Sequence, residues 1–106
     1  MARGNNSYSN GISGDGAGIH ATGAGNRIES NNVTGDATSE RGIEISAAGN
    51  FIMKNSVRGN AINFVIAANN YFGNILDRTA VASAAVNGNS AAGTLGTSDP
   101  LANFSY

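Results

Sequence analysis

A chain of 106 residues has room for one domain with one modest core. Six Lys and Arg against seven Asp and Glu give a formal net charge of −1, which argues against an electrostatic nucleic-acid binder. Cysteine is absent, so disulfides, thiolate metal sites and a cysteine nucleophile are excluded. No apolar run approaches the roughly 20 residues of a membrane span.

Nine Ile and five Val against three Leu is a β-type ratio. Sixteen Asn and fifteen Gly supply turns and left-handed backbone positions. Together they imply many short strands. Four nine-residue windows align without gaps: Gly4 to Ile12, Gly25 to Val33, Gly49 to Val57 and Ala68 to Leu76. Their pattern is G-N-x-φ-x-x-N-x-φ, where φ is apolar. Between them lies a block with strand alternation: Gly18-Ile19-His20-Ala21-Thr22, then Gly42-Ile43-Glu44-Ile45-Ser46, then Asn63-Phe64-Val65-Ile66-Ala67. A further echo runs through Ser13-Gly14-Asp15, Thr34-Gly35-Asp36 and Arg58-Gly59-Asn60.

A unit of two or three short strands cannot bury its apolar side alone, but stacked copies can. Helical repeats need a 3.6 period, and a leucine-rich repeat needs leucines; neither is present. The spacing predicts an all-β right-handed parallel β-helix, a solenoid of about four coils over residues 1–78. Residues 79–106 are then a C-terminal tail that caps the coils or swaps between copies.

The Gly-Ile-x-Ile and Gly-Asn-x-Ile-x-x-Asn motifs resemble the repeats of pectin-lyase-like β-helix proteins. The likeness extends to periplasmic copper-maturation and carbohydrate-active members. It covers roughly residues 4–77, and the ending Asp99 to Tyr106 is similar to that of some bacterial members. The resemblance implies a secreted, periplasmic or cell-surface parent of which this chain is the C-terminal piece, with polysaccharide as its partner. Met1-Ala2-Arg3-Gly4 does not open a secretory leader.

Stacking converts sequence offsets into columns. Asn10, Asn31, Asn55 and Asn74 are expected in one asparagine ladder, and Asn5, Asn26, Asn50 and Asn69 in another. The inward columns are expected to be Ile19/Ile43/Phe64, Ala21/Ile45/Ile66, Ile28/Ile52/Tyr71 and Ile12/Val33/Val57/Leu76, with Ser7 replacing the Ile28-type residue in the first coil. Phe51, Met53, Phe72, Val65 and Ile75 are expected on the outside. Such apolar exposure marks a contact surface, either under the tail or between copies, and favours a homo-oligomer.

Acid chemistry on this architecture needs clustered carboxylates. Asp15 and Asp36 are expected in one column and are the candidate ligands of a Ca²⁺. His20 and Glu44 share an outward column and form a conceivable acid–base pair. Each feature has a plainer alternative, a turn cap or a cross-strand contact. No cofactor other than Ca²⁺ is suggested. The reading favours a non-catalytic structural or carbohydrate-binding module that self-associates. A polysaccharide lyase or hydrolase fragment using Asp15, Asp36, His20 and Glu44 is the enzymatic alternative, and a pure assembly element is the third.

Overall fold

The computed structural model describes residues 1–10, 16–36, 41–77 and 99–106. Among these, the secondary structure is short strands without helix. The first three are β1 (Ala2–Arg3), β2 (Asn6–Tyr8) and β3 (Ala17–Ala21). β4 (Arg27–Glu29), β5 (Asn32–Thr34) and β6 (Arg41–Ile45) follow, then β7 (Phe51–Met53), β8 (Ser56–Arg58) and β9 (Ile62–Ile66). β10 (Tyr71–Phe72), β11 (Ile75–Asp77) and β12 (Asn103–Ser105) complete them.

The strands are dealt in rotation to three parallel sheets. Sheet A is β1-β4-β7-β10, sheet B is β11-β12-β8-β5-β2, and sheet C is β3-β6-β9. Parallel neighbours cannot be joined by a tight hairpin, and from β1 to β11 the chain visits the other two sheets before it returns to the first. The pairing register makes residues of successive repeats neighbours: Ile28 beside Ile52, Val33 beside Val57, and Ile19 beside Ile43 and then Phe64. Ile28, Val33, Ile43, Ile45, Ile52 and Val57 form the buried cluster. Burying one such side chain contributes about 1.5–3 kcal/mol.

The corners explain the Gly-Asn pairs. Gly25 and Gly49 adopt φ of +75°, where a side chain is strained. At the other corner Gly4, Ser30 and Lys54 take φ of 66°, 57° and 58°. Each is followed by an asparagine, so the two middle repeats each carry a pair of left-handed corners, Gly25 and Ser30, then Gly49 and Lys54, with an Asn behind each. Close approach sets a second demand for glycine: a Cβ on Gly35 would overlap the Gly59 carbonyl of the next repeat.

That duplication shifts the expected alignment at both ends. In the first repeat Gly4-Asn5 belongs to the second corner: Ala2 pairs with Ile28 and Ser7 with Val33. Ser7 thus stands in the Val33 column, and Ala2 is the small residue beside Ile28. Ile12 lies outside the described residues. In the last repeat Asn69 itself takes the left-handed corner, with φ of 61°, and Asn70 becomes the ladder residue. Tyr71 therefore pairs with Phe51 and Phe72 with Ile52, the reverse of the expected assignment. Leu76 pairs through its backbone with Phe104, not with Val57. The tail supplies the next strand on β8 instead, and Ser105 pairs with Val57.

Candidate functional site

Two ladders run across the sheets. Asn5 donates its backbone N–H and its side-chain Nδ2–H to Oδ1 of Asn31, both at 3.0 Å. Asn31 does the same to Asn55 at 3.0 Å, and Asn55 to Asn103 at 3.2 and 3.0 Å. The Nδ2 of each also reaches a strand carbonyl, Ala2 from Asn31, Ile28 from Asn55 and Ile52 from Asn103. Asn31, Asn55 and Asn103 are fully buried, so their amides are satisfied only by each other and the backbone. The second ladder is Asn26–Asn50–Asn70, each lower N–H donating to the Oδ1 above at 2.8 Å. Four expected members fall elsewhere. Asn10 is exposed and donates to Ser7, and Asn74 contributes its backbone carbonyl to Asn103. Asn5 belongs to the first ladder, and Asn69 yields its place to Asn70. An amide whose lone pairs and protons are used inside a ladder has none to offer a ligand.

The expected His20–Glu44 pairing is present across β3 and β6. His20 Nε2 lies 3.8 Å from Glu44 Oε2 and 2.7 Å from the Ser46 hydroxyl. Arg41 Nη1 donates to both Glu44 oxygens at 2.9 and 3.0 Å. Both Glu44 oxygens are thus engaged by one guanidinium, a charge-assisted pair.

Asp15 lies outside the described residues. Asp36 meets Ser9: β2 pairs with β5 so that Tyr8 meets Thr34, and the Ser9 hydroxyl donates to an Asp36 carboxylate oxygen. Among the described residues no group of three or more His, Cys, Asp or Glu side chains could hold a metal ion.

The outer face of sheet A carries most of the remaining chemistry. Glu29 is only 5 % exposed and accepts from Arg27 Nε at 2.7 Å, with Lys54 Nζ at 3.7 Å. The Arg27 hydrogen bond leads the causes that hold its carboxyl below the usual carboxylate range, against desolvation. Met53, expected outside and exposed, sits buried in the same column with its sulfur 3.6 Å from Arg27 Nη2. Phe51 remains 46 % exposed and Phe72 54 %. Val65 and Ile75 are partly buried. Tyr71, expected inside, is 61 % exposed and stacks on Phe51 with ring centroids 4.9 Å apart and an interplanar angle of 20°. Leu101 joins them from the tail. Phe51, Tyr71, Phe72 and Leu101, with Met53, Gly73, Asn74 and Asp99, line a hollow of about 330 Å³.

Tyr71 and Leu101 escape a sequence reading for different reasons. Tyr71 is hidden by the one-residue ambiguity of Asn69-Asn70. Leu101 reaches the hollow only because the tail inserts into sheet B. No helix among the described residues is long and apolar enough to cross a membrane. No protein-family model matches the chain, and no curated protein or solved structure matches it.

Proposed function

We propose that the chain is a right-handed parallel β-helix module with a non-catalytic role, which self-associates and binds carbohydrate as part of a larger exported bacterial protein. The rotation of strands through three parallel sheets supports the helix, and parallel crossovers of this kind are right-handed in nearly all cases. The observation that carries the binding role is the exposed Phe51–Tyr71 stack beside Phe72 and Leu101. Flat aromatic faces next to the Asn74 and Asp99 polar groups suit the C–H faces and hydroxyls of a sugar ring. Exposed apolar surface of this kind equally suits a second copy.

The candidate acid–base residues give less support to polysaccharide cleavage. Glu44 is engaged by Arg41, Asp36 by Ser9, and His20 by Ser46. The test is a glycan-binding screen, with and without Ca²⁺, combined with an assay for released sugar and with light scattering at micromolar protein. The reading expects binding without product and a mass above the monomer. Product release would replace it with the lyase or hydrolase reading. A stable oligomer that binds no glycan would leave a pure assembly element.

A further inference from the structure

In sheet B, strands of successive repeats pair directly twice, β2 with β5 and β5 with β8. The next step is different. The C-terminal strand β12 lies between β8 and β11 and pairs with both, although β10 still pairs directly with β7 in sheet A. A slot is therefore open in one sheet only, and Asn103 and Ser105 fill it, both buried. Asn103 N–H donates to Asn74 O at 2.7 Å, Phe104 N–H to Asn55 O at 2.7 Å, and Tyr106 N–H to Val57 O at 3.1 Å. Ser105 Oγ accepts from Asn63 Nδ2 at 2.8 Å. Main-chain bonds and an asparagine rung are the same whichever copy supplies the strand.

In the sequence, 25 residues (78–102) separate β11 from β12, more than separate any other two successive strands among the described ones. An extended segment of that length spans roughly 80 Å, so it does not oblige the strand to return to its own chain. The apolar hollow lies where the tail enters, because Leu101, two residues before Asn103, lines it with Phe51, Tyr71 and Phe72. We infer that the slot between β8 and β11 takes the C-terminal strand of a second copy, so that copies associate by exchanging residues 99–106. This rests on the self-association proposed above and gives it a route. Tethering favours the chain's own tail by an effective concentration on the order of millimolar. Burial of the aromatic hollow between two copies is what offsets that advantage.

The test uses the absence of native cysteine. Phe104 pairs with Ser56 on β8, so the S56C/F104C variant places two thiols on adjacent strands. The surface pair R58C/Y106C, two residues further along, repeats the test where folding is not at stake, since the Arg58 guanidinium lies over the Tyr106 ring, 5.9 Å from its centroid. Each variant is refolded and oxidised at a concentration where light scattering shows the native chain associated, then run unreduced under denaturing conditions. Exchange predicts that most of the oxidised protein migrates as a covalent dimer or larger species, absent from the single-cysteine controls. A disulfide confined to the monomer band overturns the exchange while leaving the association intact. Failure of either pair to oxidise also overturns it, since the strand would then not occupy the slot. A native chain that scatters as a monomer at every concentration overturns the proposed self-association itself.

Discussion

The middle of the stack and its two ends use the same backbone plan with different side chains. Around β5 and β8 every inward residue has a neighbour on both sides: Val33 lies between Ser7 and Val57, and Asn31 between Asn5 and Asn55. At the ends, the positions of Ile28 and Ile52 are taken by Ala2 and Phe72, both at least partly open to solvent. Asn55 is fully buried, whereas Asn10 sits in the open with one bond to Ser7. A residue's energetic weight in this architecture is set by having rungs on both sides rather than by its type.

The widest contrast should come from the apolar column. Ile52→Ala leaves a cavity with no exposed side to relax into and should cost about 3–5 kcal/mol in a denaturant titration, against about 1 kcal/mol for Phe72→Ala. Equal losses would mean that the end of the stack is as closed as its centre. Asn55→Ala removes the acceptor of two Asn31 donors, takes the Nδ2 donor from the Ile28 carbonyl, and leaves Asn103 Oδ1 with only the backbone N–H of residue 55. Its expected cost is about 3 kcal/mol, enough to lower Tm by roughly 10 °C or more, while Asn10→Ala should stay within about 0.5 kcal/mol. Gly49→Ala forces a Cβ into a left-handed corner and should cost about 1–2 kcal/mol.

The smallest effect is electrostatic. The Glu29 carboxyl is depressed in the fold, chiefly by its hydrogen bond from Arg27. Its contribution is therefore complete above the unfolded value of about 4.3 and is lost as pH falls through the lower folded value. Glu29→Gln should be less stable than the native chain at neutral pH by a constant margin that shrinks in acid. A margin that grew in acid would reverse the sign of the assignment.

The same contrast decides what was legible in the sequence. The alternating block of Gly-Ile-His-Ala, Gly-Ile-Glu-Ile and Asn-Phe-Val-Ile pairs in the expected register, because each copy has a single apolar alternation and one possible alignment. The Gly-Asn windows align with the strand register only in the middle repeats, 25–33 and 49–57. Gly-Asn can mark either of two left-handed corners, and the window beginning at Gly4 starts at the second, beside Ser30. At Asn69-Asn70 two adjacent asparagines each satisfy the pattern, and only the backbone conformation separates corner from rung. The insertion of β12 was beyond any periodic reading, since it interrupts the period. Asn103-Phe104-Ser105 places a serine where the two middle repeats carry valine, and its hydroxyl accepts from Asn63 Nδ2.

The Asn55 rung tests the account most directly. It holds that residues far apart along the chain are neighbours across the sheets, and that Asn103, not Asn74, is the acceptor for Asn55. Double-mutant cycles of Asn55→Ala with Asn103→Ala and with Asn74→Ala, read by denaturant unfolding, separate the two partners. The expected coupling is about 1–3 kcal/mol for Asn55 with Asn103 and within about 0.5 kcal/mol of zero for Asn55 with Asn74. Strong coupling to Asn74 and none to Asn103 would return the last strand to its place on β8 and contradict the insertion.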